Sequence, residues 1–173
     1  GALATLTDGC EHDGAAALAG GLLVQAAQGE GPLNLRNQAT VGGAVAAAES
    51  DSEFYAALLA LGARIVIATT AGERVVLLAE LGAIDGLITA VLLPEGIEAG
   101  AIARVARTPA DRPIVAAVAV RHGATVRVAL CGVAAKPILQ GTPLDPPDDY
   151  KGSAVYRRSM APVVTDRALA MLA

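Results

Sequence analysis

The residues best suited to ligand chemistry in this sequence are Thr40, Val41, Gly42 and Gly43. A Thr-x-Gly-Gly turn places a hydroxyl beside two backbone amides that carry no Cβ, so the turn can approach a phosphate closely. Short glycine motifs also recur by chance, and the alternative is a tight turn that only positions the helix after it. Ser52 and Glu53 can face the same ligand, or they can belong to a helix capping box that begins at Ser50 and has Glu53 at its third helical position.

A longer pattern surrounds this turn. Residues 36–63, RNQATVGGAVAAAESDSEFYAALLALGA, run without a gap along the pattern RN-x-x-TVGGN-LANADP-x-SD-x-x-x-ALLALGA. That pattern is typical of the FAD-carrying medium subunits of the molybdenum hydroxylases, the family of carbon monoxide dehydrogenase, xanthine dehydrogenase and aldehyde oxidase. Residues 1–6, 107–137 and 152–169 resemble further segments of the same subunits, in the same order.

The resemblance implies a function and a site. It implies that Thr40, Val41, Gly42, Gly43, Ser52 and Glu53 contact FAD. In this family electrons pass from the molybdenum centre through iron–sulfur clusters to FAD, and FAD carries the redox chemistry of this subunit. The implied partners are therefore molybdenum-binding and iron–sulfur subunits, and no catalytic acid, base or nucleophile is required of this chain.

The chain departs from the family pattern at polar positions. Ala44 and Ala47 stand where the family has side chains that hydrogen-bond the cofactor, and Glu53 replaces an Asp. Alanine cannot form such bonds, and losing two, each worth about 0.5–1.5 kcal/mol, weakens flavin binding by a decade or more. No segment matches the family's first glycine-rich loop, so the first subdomain was cut away or the protein is a short relative. The alternative function is a degenerate, cofactor-free interaction or assembly module.

Composition excludes several classes of function. The net charge of −4 and the scarcity of aromatic residues argue against nucleic-acid binding. No apolar run is long enough to span a membrane. Cys10 and Cys131 form no CxxC pair, which predicts a cytoplasmic protein with free thiols. His12 and His122 lack ligand partners at metal spacing. The low charged fraction, 17%, predicts a surface covered by a partner or by self-association.

The elements that must position the site predict an α+β fold in two parts. Residues 1–97 correspond to the middle FAD-binding subdomain, a mixed sheet with helices, and residues 100–173 to a smaller C-terminal domain. In the first part we expect helices over 14–27 and 51–61, a loop over 33–43, a hairpin of strands 64–70 and 74–78, and a strand over 87–93.

The second part should hold a three-stranded antiparallel sheet and a helix. The strands are predicted over 101–108, 113–122 and 125–132, and a proline-rich connector follows. The helix should cover 153–173, with a kink or break at Pro162. Its apolar stripe would comprise Tyr156, Met160, Val163 and Val164. Arg157 and Arg158 would either reach a partner subunit or lie in solvent, and the second arrangement is the commoner one.

Overall fold

The structure, a computed structural model, describes residues 1–172. Its helices are α1 (Leu6–Glu11), α2 (Asp13–Ala17), α3 (Leu22–Gln28), α4 (Leu33–Arg36), α5 (Val41–Ala47), α6 (Glu53–Leu61) and α7 (Ala154–Ala170). Its strands are β1 (Arg64–Thr69), β2 (Gly72–Leu77), β3 (Leu87–Leu92), β4 (Ala99–Val105), β5 (Val115–His122), β6 (Thr125–Cys131) and β7 (Ile138–Leu139). The α+β prediction is confirmed.

The first sheet has the order β2-β1-β3 and is antiparallel throughout. The β1–β2 hairpin forms where the sequence predicted it, and Arg64 pairs with Leu77 on one side and with Leu92 on the other. Gly62 ends α6 in the left-handed conformation, with a φ of 76°, and so turns the chain from the helix into β1. The turn therefore fixes the approach of α6 to this sheet.

The second sheet has the order β4-β5-β6-β7 and is also antiparallel. The three predicted strands are present, and the connector adds a fourth of only two residues, β7. Alternate residues of β5 point to opposite faces. Ala116, Val118 and Val120 join the buried cluster that contains α6, whereas Val115 and Ala117 join the cluster beneath α7. Both faces of this sheet are therefore covered by helices.

No helix among residues 1–172 is long and apolar enough to cross a bilayer.

The predicted helix over 14–27 is wrong, because the structure divides it. Ala19, Gly20 and Gly21 have φ values of 51°, 68° and 84°, and left-handed residues in succession cannot continue a right-handed helix. The chain instead forms α2, a 3-10 turn over Leu18–Gly20 and then α3. The predicted loop over 33–43 is also corrected, since it contains the short helix α4 and the start of α5.

The C-terminal helix differs from the prediction in continuity and in its buried face. It continues through Pro162 as one helix, α7. Tyr156 and Val163 are 39% and 36% exposed, so neither belongs to a buried stripe. The buried residues are Arg157, Ala161, Val164, Thr165 and Ala168. Small residues at this spacing let the helix lie close to the sheet. Of the predicted stripe, Val164 is buried and Met160 is partly buried, whereas Tyr156 and Val163 lie outside the buried face.

Arg157 is 1% exposed, so the prediction that it lies in solvent is wrong. Its Nη1 donates to the carbonyls of Ile114 and Gly132, at 2.5 and 3.0 Å. Its Nε donates to the carbonyl of Gly152 at 3.2 Å, and its Nη2 to the carboxylate of Asp149 at 2.7 Å. These partners satisfy the buried guanidinium and connect α7 to the sheet and to the end of the connector.

Candidate functional site

Thr40 begins α5 as its N-cap. Its Oγ1 accepts a hydrogen bond from the Gly43 backbone N–H at 3.0 Å, the standard interaction of a threonine cap. Gly42 and Gly43 therefore lie in the first turn of a helix, and neither has positive φ. The predicted Thr-x-Gly-Gly turn is thus a helix start, and the hydroxyl serves the cap.

Gly42 is required by a close approach of two backbones. Its N–H donates to the Ala2 carbonyl at 2.8 Å. A Cβ on Gly42 would lie 2.8 Å from the Ala2 Cβ and 3.1 Å from the Ala2 oxygen, closer than side chains normally pack. A Cβ on Gly43 would meet only the Thr40 hydroxyl, at 3.0 Å. The first glycine serves packing, and the second lies on the open side of the helix.

A cleft of about 430 Å³ opens beside the start of α5. Thr40, Gly43 and Ser52 line it together, so the structure brings three of the six predicted site residues to one place. Its wall is completed mainly by small and apolar side chains, including Leu6, Leu35, Ala39, Ala44 and Ala47, and by four charged ones, Glu30, Arg36, Glu49 and Arg112.

The other three predicted residues lie outside this cleft. Val41 lines a separate, mainly apolar cavity of about 290 Å³. Gly42 contacts Ala2, and Glu53 is buried at the start of α6. Of the predicted residues, Thr40, Gly43 and the buried Ser52 thus line the cleft, while the other three belong to the structure around it.

Ser52 is the N-cap of α6, so the predicted capping box from Ser50 to Glu53 is wrong. The Ser52 hydroxyl accepts from the Tyr55 N–H at 2.9 Å, and Glu53 is the first residue of the helix. The same hydroxyl donates to Glu30 Oε1 at 2.8 Å, and the Phe54 N–H donates to that oxygen at 2.9 Å. The carboxylate of Glu30 therefore binds at the positive end of the helix.

A cluster of ion pairs lies at the cleft, and three of its members, Glu30, Glu49 and Arg112, line it. Arg112 binds Glu30 through Nη2 at 2.7 Å and Asp51 through Nη1 at 3.1 Å, and it also contacts Glu49. Lys151 binds Asp51 as well. Sequence reasoning missed Glu30 and Arg112, which are far apart in the chain and meet only in the folded protein.

Glu53 is the buried member of this charged region. Its side chain is 3% exposed, its Oε2 lies 3.4 Å from Arg104 Nη1, and its Oε1 has no hydrogen-bond partner among residues 1–172. Burial raises the pKa of Glu53 to about 7, because a carboxylate without water around it is costly. Arg104 works in the opposite direction, while the carboxylates of Glu30 and Asp51 add to the increase. Glu53 can therefore hold a proton near neutral pH.

The lining residues fit a flavin better than they fit a metal. A volume of about 430 Å³ falls in the usual range for small-molecule sites, and the small apolar wall suits a flat ring. Arg36 borders the cleft and forms no ion pair within residues 1–172, so the positive charge of its guanidinium can attract an anionic group. No cluster of three or more His, Cys, Asp or Glu within residues 1–172 is arranged to hold a metal ion.

Comparison with known proteins identifies similar sequences. The family described as FAD binding domain in molybdopterin dehydrogenase matches residues 1–97. The uncharacterized protein YgfM of Escherichia coli, strain K12, is 31% identical over 150 residues, which cover 76% of this chain and 57% of that protein. The YgfM of Escherichia coli O157:H7 matches equally. The chain thus spans less than two thirds of these relatives.

Solved structures share the fold. The chain resembles a reconstituted CO dehydrogenase from Oligotropha carboxidovorans with a TM-score of 0.86 and 23% identity, over 99% of this chain and 73% of that one. Quinoline 2-oxidoreductase from Pseudomonas putida 86 gives a TM-score of 0.81 with 22% identity, at the same coverage. At this level of identity the likeness concerns the arrangement of the elements.

Proposed function

Because the chain belongs to the family of FAD binding domains in molybdopterin dehydrogenases, we propose that it is a flavin-binding, electron-transfer subunit of a molybdenum hydroxylase. The observation that carries this proposal is the cleft in which Thr40, Gly43 and Ser52 meet a small apolar wall. Bound FAD would supply the redox chemistry, and the chain would supply binding and orientation.

The roles of the lining residues follow from their present bonds. The Thr40 oxygen already accepts from Gly43, so its hydroxyl proton is the part left to donate to a ligand. Gly43 keeps the open side of α5 free of a side chain, and Ala44 and Ala47 offer apolar contact. Arg36 would hold an anionic group, since it lines the cleft and none of the ion pairs within residues 1–172 uses it.

Flavin binding by the isolated chain should be weak. Ala44 and Ala47 offer no hydrogen bonds, and two of the cleft's four charged residues are carboxylates that repel phosphate. We expect the purified chain to be colourless or nearly so, and to bind added FAD only at high concentration. Near-stoichiometric flavin absorbance after gel filtration would contradict this expectation of weak binding.

A titration of the full chain with FAD, followed by flavin fluorescence, tests the proposed site. Arg36→Gln should weaken binding by about tenfold, because a charge-assisted hydrogen bond is worth about 1.5–3 kcal/mol. Arg158→Gln is the matched control, since it removes the same charge from an exposed position on α7. Equal loss in the two variants, or no saturable binding in the wild type, would refute the proposed flavin site.

A cofactor-free interaction or assembly module is the second candidate. The observation that favours it is the binding of Glu30 to the Ser52 hydroxyl and the Phe54 amide, which leaves these donors satisfied without a ligand. Under this alternative the wild type binds no flavin at any concentration tested, yet it still associates with a partner subunit.

We also propose that the chain works in a complex in the cytoplasm. The proposed partners are molybdenum-binding and iron–sulfur subunits or a second copy of the chain. Association with a partner is supported by exposed apolar side chains, those of Leu3, Leu33, Leu35 and Leu87. The cytoplasmic location is supported by the two free cysteines. Light scattering that shows a monodisperse monomer at high concentration would contradict self-association. Copurification with tagged molybdenum-binding and iron–sulfur subunits would test those partners.

A further inference from the structure

We propose that Glu30 is a built-in anion that excludes negatively charged groups from the donors at the start of α6. The cleft would then accept only an uncharged part of its ligand beside Ser52. The inference rests on the proposed function only for the identity of that ligand, a flavin. The carboxylate of Glu30 occupies a site that would otherwise bind phosphate.

The donors around Glu30 form an anion-binding group. Ser52 Oγ and the Phe54 N–H both donate to Oε1, at 2.8 and 2.9 Å, and Arg112 Nη2 lies 2.7 Å from Oε2. The Ser52 oxygen accepts from Tyr55, which directs its proton toward the carboxylate. A hydroxyl, a helix amide and a guanidinium are the donors that proteins commonly use for phosphate.

The carboxylate is well protected in this position. The Glu30 side chain is 11% exposed, and Ser52 is 2% exposed. Water screens a charge poorly in such surroundings, so a phosphate entering the cleft near Glu30 would meet a repulsive neighbour. The phosphate could not use the three donors either, because the carboxylate already occupies them. Repulsion and competition therefore act in the same direction.

Removing this carboxylate should expose a phosphate site. Arg112 would remain held by Asp51 and Glu49, so its guanidinium would stay near the vacated position. In Glu30→Ala the Ser52 hydroxyl and the Phe54 amide would lose their acceptor and face the cleft. We therefore expect Glu30→Ala to bind inorganic pyrophosphate at least about tenfold more tightly than the wild type.

Isothermal titration of the full chain with pyrophosphate tests the inference. Glu49→Ala is the control, because it removes a second cleft carboxylate of the same charge but leaves Glu30 on its donors. A gain in Glu30→Ala that Glu49→Ala lacks supports the inference. Equal gains in both variants, or wild-type binding as tight as that of Glu30→Ala, would overturn it, because a general charge effect would then suffice.

Glu30→Gln covers the case in which the alanine variant does not fold. It keeps the shape and one acceptor but removes the charge, so a smaller gain in pyrophosphate binding is expected, and no gain in a folded Glu30→Gln would overturn the inference. A parallel titration with riboflavin separates this inference from the proposed function. If no variant binds riboflavin or FAD but Glu30→Ala gains pyrophosphate, the flavin proposal fails while the role of Glu30 stands.

Discussion

Replacing Gly42 by alanine should destabilise the protein in the absence of any ligand. The added Cβ would lie 2.8 Å from the Ala2 Cβ, so the N-terminal segment or α5 has to move. Overpacking of this kind costs about 1–3 kcal/mol. The change also raises helix propensity, since alanine is favoured over glycine by about 1 kcal/mol in a helix. The net expectation is a loss of about 1 kcal/mol of unfolding free energy.

Thermal and urea unfolding of the apo protein measure this loss. For a chain of this size, 1 kcal/mol lowers the melting temperature by about 2–4 °C. Gly43→Ala is the control, because it gains the same helix propensity while its Cβ would meet only the Thr40 hydroxyl, at 3.0 Å. It should melt at or above the wild-type temperature, by no more than about 4 °C.

The outcome distinguishes two roles of the glycine pair. If Gly42→Ala melts at or above the wild type without FAD, the close approach to Ala2 does not constrain this position and the packing argument is refuted. If both variants melt at the wild-type temperature without FAD but no longer bind FAD, the glycines serve only the cofactor. A loss confined to Gly42→Ala in the apo protein supports the structural role.

Three further substitutions test other contacts. Thr40→Ala should lower stability by about 1 kcal/mol in urea unfolding, because the Gly43 amide loses its cap, and an unchanged midpoint would contradict the capping role. Glu53→Gln should be more stable than the wild type at pH 8 by about 1–3 kcal/mol, even without the Arg104 contact. The native pKa of Glu53, about 7, exceeds its ordinary 4.5, so the native state binds more protons between these values and wild-type stability falls as pH rises through them. Stability curves of equal slope for wild type and variant between pH 5 and pH 8 would show that Glu53 is not the titrating group. Arg157→Met should cost at least about 3 kcal/mol in chemical unfolding, because it strands buried acceptors, and a loss under about 1 kcal/mol would show that they are satisfied otherwise.

The strands could be predicted because their signals are local. Glycines at turn positions, Gly72 and Gly123, separate runs of apolar and β-branched residues, and both hairpins form there. The break between the helices near the N-terminus could not be predicted, because Ala19 has a left-handed conformation that alanine rarely adopts. The buried face of α7 was predicted incorrectly because it includes Arg157, and sequence patterns rarely indicate that an arginine is buried.

The candidate site shows the same division between local and distant information. Thr40, Gly43 and Ser52 were recognised from one continuous motif, and they line one cleft. The ion pair of Glu30 with Arg112 joins segments that are far apart in the sequence and meet only in the folded protein. No pattern within either segment indicates that contact, so the selectivity inferred for the cleft depends on tertiary structure alone.

The alternation of β5 has a consequence for how the protein opens. Its side chains belong in turn to the cluster containing α6 and to the cluster beneath α7, so neither layer can separate without disturbing this strand. The two layers should therefore exchange their amide hydrogens with deuterium as one cooperative unit. A ligand in the cleft would slow exchange in α7 as well, although no residue of α7 lines the cleft.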